Sequence, residues 1–160
     1  MGHEDFESWY RSEHPRVIGV LCAISGDVDA AREAVDEAFA RALARWERVR
    51  GMDAPGAWTC KVALNVLRRN KRRRATEERA FKRAMPTVPV PATDPELWAA
   101  VRRLPERQRT AIVLKYVGDL PEAEIARMMR VRRGTVAATL FEARRRLAEM
   151  LDIPAEVGDG

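Results

Sequence analysis

Apolar and polar positions recur at helical period along nearly the whole chain, and no segment shows the two-residue alternation of a strand. Phe6, Trp9 and Tyr10 open an apolar series that continues through Val17, Val20 and Leu21. It stops at Ser25-Gly26-Asp27, where glycine closes one helix and Asp27 or Asp29 caps the next. Val28, Ala31, Val35, Ala38, Phe39, Ala42, Trp46 and Val49 then follow at three- and four-residue spacing. That spacing predicts one amphipathic helix of about six turns ending at Arg50-Gly51. A short loop, residues 51–56, leads to a helix that starts near Pro55 and runs through Trp58, Val62, Val66 and Leu67 into a basic run.

Pro86, Pro89 and Pro91 then interrupt the helical pattern and favour extended backbone, which predicts a linker over residues 80–93. Downstream, Asp94-Pro95-Glu96, Leu104-Pro105-Glu106 and Leu120-Pro121-Glu122 repeat one helix-start device. Proline fits the first turn, where its missing N–H would be unpaired, and glutamate suits the positive helix end. The last helix carries Val136, Leu140, Ala143, Leu147 and Met150 on one face. The expected fold class is all-α, with small helical domains over residues 1–79 and 94–153 and a tail from 154 to 160.

Composition narrows the function. With 160 residues, 46% hydrophobic and 33% charged, the chain is globular and not disordered. Its longest uncharged apolar run, residues 17–26, falls well short of the ~20 residues needed to span a bilayer. The acidic first ten residues lack a signal-peptide profile, so the expected location is the cytoplasm. Cys22 and Cys60 have no paired-ligand spacing and both histidines lie near the N-terminus, so neither a metal nor another cofactor is expected. A catalytic reading finds no support either. Glycines are scattered, no Ser, Cys or His sits in an activated pattern, and Asp36-Glu37 reads as a solvated face. His14, before Pro15, reads as a surface or helix-end residue, and no small-molecule substrate is implied.

Charge distribution is more telling than the net +5. Residues 1–59 hold 7 basic and 11 acidic side chains, whereas residues 61–83 hold 10 basic and 2 acidic. A second basic zone comprises Arg127, Arg130, Arg132, Arg133 and Arg144 to Arg146. An acidic front before two separated basic zones suits a polyanion gripped at two places by something that also meets a protein. Residues 120–147 read as helix, tight turn, helix, with Ala126 small where the helices cross and Ile125, Met129, Val131, Val136 and Leu140 packing them. This pattern fits a helix-turn-helix whose second helix enters the major groove, with Arg132 and Arg133 neutralising phosphate. In the central run, Trp58 and Asn65 share a helix with the arginines. Stacking, edge hydrogen bonds and phosphate neutralisation together are what capture of unstacked bases requires.

In order and spacing these motifs resemble an extracytoplasmic-function sigma factor of the sigma-70 family. The resemblance rests on Ser25-Gly26-Asp27, Glu33-Ala-Val-Asp-Glu-Ala-Phe39, Trp46, Pro55-Gly-Ala-Trp58 and Val62-Ala-Leu-Asn65. It continues through Leu104-Pro-Glu-Arg-Gln-Arg109, Leu120-Pro-Glu-Ala-Glu-Ile-Ala126 and Gly134-Thr-Val136. It implies a non-catalytic subunit that directs core RNA polymerase to promoter DNA, with an anti-sigma factor as a further class of partner. By the resemblance, Glu33, Asp36, Glu37, Phe39 and Arg41 dock on the polymerase. Arg50, Asp53, Trp58, Lys61, Asn65, Arg68, Arg69, Lys71, Arg72 and Arg73 open and read the minus-ten element. Arg130, Arg132, Arg133, Gly134, Thr135, Ala138, Thr139 and Arg145 serve the minus-35 element.

The sequence departs from the family where Arg130 replaces a turn glycine and Arg132 a small hydroxyl cap. Ala137-Ala138-Thr139 replaces a more polar run, leaving thymine methyls as the contacts for Ala138 or Thr139. Two other readings compete. A sigma mimic would bind an anti-sigma factor or polymerase without initiating. A stand-alone duplex-DNA regulator would leave the acidic front and the Trp58–Asn65 pair unexplained.

Overall fold

The computed structural model describes residues 2–77 and 94–154; the expected linker at 80–93, with Lys82 and Arg83, the neighbouring Arg79, and the tail beyond Pro154 lie outside them. Among the described residues there are eight α-helices and no strand. The chain divides into two compact units between Val90 and Pro91.

The first unit comprises α1 (Gly2–Ser25), α2 (Val28–Ala44), the single turn α3 (Trp46–Val49) and α4 (Pro55–Glu77). The apolar series read from the sequence forms its core: Val17, Val20 and Leu21 of α1, Ala31, Val35 and Ala38 of α2, and Ala63, Leu64, Val66 and Leu67 of α4 are all buried. Burying each large aliphatic side chain contributes roughly 1.5–3 kcal/mol. Gly26, at φ 67°, closes α1 in the left-handed conformation, and the Asp27 carboxylate accepts the Ala30 N–H at 3.0 Å to cap α2.

Two details of these helices differ from the sequence expectation. The long helix breaks at Arg45 (φ −125°, ψ 27°), after which α3 carries Trp46 and Val49 into a cluster with Phe6, Trp9, Met52 and Trp58. The apolar spacing runs unbroken through this kink, so the pattern carries no mark of it. His14 is not at a helix end. It stands half-buried within α1, its ring 4.8 Å from Tyr10 and 5.4 Å from Phe39. Pro15 is tolerated inside α1 because it and Arg11, whose carbonyl loses its helical partner, both face solvent.

The second unit comprises α5 (Pro95–Arg103), α6 (Glu106–Tyr116), α7 (Glu122–Met129) and α8 (Arg133–Met150), with α5, α6 and α7 all packed on α8. Asp94 caps α5 through the N–H groups of Glu96 (3.1 Å) and Leu97 (3.0 Å), with Pro95 in the first turn as expected. Pro105 and Pro121 instead stand one position earlier, as extended N-cap residues at ψ 146° and 152°. Their fixed φ serves the approach to the helix as well as its first turn. Met128, and not Met129, is the fully buried methionine of α7. Arg109 clasps the end of α5, donating to the carbonyls of Arg102 (3.1 Å) and Leu104 (3.4 Å).

The turn between α7 and α8 is strained where arginine stands in the place of the family's glycine. Arg130 is left-handed (φ 57°, ψ 44°), and the Val131 N–H closes the helix on the Ala126 carbonyl at 3.0 Å. Arg132 is the N-cap of α8 and makes no side-chain cap bond. Replacing Arg130 with glycine should relieve about 1 kcal/mol of backbone strain. The melting midpoint of this unit should then rise by about 4–8 °C in a calorimetric scan; an unchanged or lower midpoint would contradict the reading. A second expectation concerns the first unit. Burial pushes the Cys60 thiol up to about 12 and raises Cys22 as well. Neither should react with a thiol reagent at about pH 8 until the unit unfolds; rapid labelling of the folded chain would exclude this.

Candidate nucleic-acid interface

On α4, the buried residues Ala63, Leu64, Val66, Leu67 and Asn70 define the face turned to the core. Opposite them, Trp58, Lys61, Asn65, Arg68 and Arg72 recur at three- and four-residue spacing, which places them on one stripe. Trp58 is half-buried against the Ala42–Trp46–Val49 cluster, Asn65 and Arg68 are half-buried, and Lys61 and Arg72 are exposed. One stripe therefore offers an aromatic ring held by packing, a side-chain amide and a series of cations. Lys71 and Arg73 are exposed on its flanks. In the preceding loop Asp53 is exposed, while Arg50 pairs with Glu47 at 2.7 Å and Asp5 at 3.6 Å.

Arg69 and Arg74 turn towards α2. The Arg69 Nη2 donates to both Glu37 oxygens, at 3.1 and 3.0 Å, and Glu37 also accepts from Arg41. Arg74 meets Glu33 at 2.6 Å and Asp27 at 3.9 Å. Between them Asn70, 6% exposed, donates to Glu33 at 3.4 Å. As the α2 number rises the α4 partner's number falls, so the two helices run antiparallel along this seam. The bond from Arg69 is the main reason the Glu37 carboxyl lies below its ordinary range, with the charges of Arg41 and Arg69 adding to it.

The structure therefore joins residues that the sequence reading assigned to different ligands. Glu37 and Arg41, expected to meet the polymerase, lie in one ion-paired group with Arg69 of the DNA set, and Glu33 pairs with the nearby Arg74; Asp36 is exposed beside them. Phe39 requires correction. At 3% exposure, with its ring 5.3 Å from Trp9 and 5.0 Å from Tyr10, it is a core residue and presents no surface to a partner. Asn70 was missed because an amide within an arginine run looks solvated until the partner helix is in place.

In the second unit Arg132, Arg133, Gly134, Thr135 and Ala138 are exposed at the start of α8, with Arg130 beside them. Arg133 lies 4.0 Å from Glu122. A Cβ at Gly134 would meet nothing within 4 Å, so the chain's own packing does not require glycine there. Two predicted residues are engaged internally. The Thr139 hydroxyl donates to the Thr135 carbonyl at 2.7 Å, and Arg145 is bracketed by Glu142 (2.8 Å) and Glu149 (2.7 Å). The hydrogen bond to Glu142 leads the causes that raise the Arg145 pKa. Phe141, 62% exposed, shares the face of Gly134, Ala138 and Arg145. The spacing of that face could have identified it. Among the described residues no group of three or more His, Cys, Asp or Glu could hold a metal ion, and no helix is long and apolar enough to cross a membrane.

Comparison with known proteins decides the family. The family model described as Sigma-70 region 2 matches residues 9–77, and that described as Sigma-70, region 4 matches residues 95–147. The chain belongs to the sigma-70 family. It is an RNA polymerase sigma factor of the extracytoplasmic-function class, a family whose members bind core RNA polymerase and promoter DNA and are generally non-enzymatic. It is similar to the RNA polymerase sigma factor SigV of Bacillus subtilis, at 29% identity over 119 residues and 72% of each chain. It is also similar to the RNA polymerase sigma-E factor of Streptomyces coelicolor, at 26% identity over 153 residues, 92% of this chain and 86% of the relative. The fold matches that of the sigma factor RpoE of Bartonella quintana, solved with the anti-sigma factor NepR. There the TM-score is 0.81 at 21% identity, over 94% of this chain and 99% of that one.

In this sigma factor the Glu37–Arg69 bridge has a pH signature. Because the folded carboxyl lies below its ordinary value of 4.5, the bridge stabilises the fold above that pH and the contribution is lost as pH falls through the folded pKa. Replacing Glu37 with glutamine should cost less than about 1 kcal/mol at neutral pH, since the pair is largely solvated. The difference between wild type and E37Q should vanish in denaturant titrations on the acid side. A difference that grows on acidification would contradict the assignment.

Proposed function

We propose that the α4 stripe of Trp58, Lys61, Asn65, Arg68 and Arg72, with the loop holding Arg50 and Asp53, takes the separated minus-ten strand. In the same reading the start of α8 engages the minus-35 duplex. Supporting it most directly is the placement of an anchored aromatic, an amide and cations on one solvent-facing stripe, the set that capture of unstacked bases requires. Arg69, Lys71 and Arg73 add phosphate contacts beside it. The exposed α2 edge around Glu33, Asp36 and Glu37 meets the polymerase, and Phe39 contributes by fixing α2 from within.

At α8, Arg130, Arg132 and Arg133 neutralise phosphate, and open space around Gly134 lets the backbone approach the duplex closely. With the Thr139 hydroxyl turned to its own helix, Thr135, the Ala138 methyl and the Thr139 methyl are left for base edges. Arg145 reaches DNA only by leaving Glu142 and Glu149. The protein works in the cytoplasm, without catalytic activity of its own. An anti-sigma factor is a further partner, by analogy with the Bartonella relative solved with one.

Transcription in vitro with core RNA polymerase on fragments of the source genome tests the reading. Promoter-specific transcripts that depend on this chain are expected; active core that yields none would overturn it. A mutational contrast assigns the two grips. Asn65→Ala should change preference at one minus-ten position, by about 1–3 kcal/mol of discrimination. Arg132→Ala or Arg133→Ala should instead weaken binding of most sequences alike and reduce the salt slope by about one. Equal effects of both kinds of substitution on every promoter would contradict this division.

A further inference from the structure

The bridges between α2 and α4 join the two faces that the functional reading assigns to separate ligands. Glu33 holds Arg74 at 2.6 Å and accepts from the buried Asn70; Glu37 holds Arg69 through both carboxylate oxygens. Asp27 closes the end of the row, 3.9 Å from Arg74. Glu33 and Glu37, carboxylates that a basic protein surface would seek, are thus each occupied by an arginine that phosphate would seek. Asp36, next along α2, is exposed and takes no part in these bridges, so it supplies an acid of the same charge outside the row.

We propose that the Glu37–Arg69 and Glu33–Arg74 bridges form an internal latch in the free chain. A partner with a basic docking surface that takes the glutamates of α2 releases Arg69 and Arg74 of α4 to nucleic-acid phosphate. By the same linkage, DNA that takes the arginines exposes the glutamates, so each ligand strengthens binding of the other. The inference rests on the reading of α4 as a DNA-binding helix. Its size follows from the exposure of the groups. Arg69 is 59% exposed and Glu37 34%, Arg74 34% and Glu33 46%, so neither bridge is buried and each opens at modest cost. A latch of this kind adjusts affinity by a small factor and does not act as an absolute block.

The test is DNA binding by the free full-length chain, read by fluorescence anisotropy with a labelled single-stranded oligonucleotide of mixed sequence at low salt. Glu37→Gln should tighten binding by about three- to tenfold, the range set by one or two exposed bridges. Asp36→Asn removes the same charge from the same helix without opening a bridge, so it reports the general charge effect and should give a clearly smaller gain. Equal gains for E37Q and D36N would overturn the latch. Circular dichroism of each variant confirms folding, and Glu33→Gln supplies an independent opening at Arg74, also expected to exceed D36N. Adding Arg69→Ala to E37Q should abolish the extra gain. If Arg69→Ala and Arg72→Ala leave binding unchanged in every background, α4 is not the DNA-binding helix and both the latch and the reading beneath it fail. If they weaken binding while E37Q and D36N remain alike, only the latch fails.

Discussion

The antiparallel packing of α2 on α4 is the constraint from which the first unit takes its functional form. Val35 and Ala38 on one helix and Ala63, Leu64, Val66 and Leu67 on the other are buried, and this fixes the rotation of α4. Rotation is decisive here. A turn of α4 by one residue, about 100°, would carry Asn65 and Arg68 off the solvent-facing side and expose leucine in their place. Along the edge of the same seam lie the bridges from Glu33 and Glu37, so the packing that presents the basic stripe also presents the acidic edge. A basic and an acidic surface are held in register by one interface.

Much of this was readable from the sequence because helical period reports burial directly. The helix ends at Gly26 and Asp27 and the aligned placement of Trp58, Lys61, Asn65, Arg68 and Arg72 follow from local rules, and the family resemblance marks Arg130 as standing in a turn glycine's place. Features that depend on a partner helix were not readable. Phe39 looks the same in one dimension whether it fills a core or greets a partner, and its burial is decided by Trp9, Tyr10 and His14 of α1. Asn70 likewise acquires its role from Glu33, 37 residues earlier. The kink at Arg45 leaves the apolar spacing intact, and only the backbone torsions reveal it.

The second unit shows where a family pattern is retained at a cost. The turn keeps its left-handed residue and its carbonyl closure, although arginine takes the glycine position and the cap of α8 has no hydroxyl. Positive charge is concentrated at the tip of the helix while local stability is given up. Further along α8, Thr139 and Arg145 are engaged by their own helix, and the apolar Ala138 and Phe141 are exposed on the face they share with Arg145. A surface of that composition suits methyl contacts and backbone positioning more than a dense hydrogen-bond code.

The solvent-facing stripe of α4 is proposed to meet separated promoter DNA when this sigma factor is assembled with polymerase. Site-specific photo-crosslinking in the open complex measures it most directly, with the crosslinker placed in turn at Lys61 and Arg72 on the stripe and at Thr135 on α8. Crosslinks are expected from Lys61 and Arg72 to the non-template strand around the minus-ten element, and from Thr135 to duplex upstream. Crosslinks from Lys61 and Arg72 to polymerase alone, in a complex shown to be open, would contradict it.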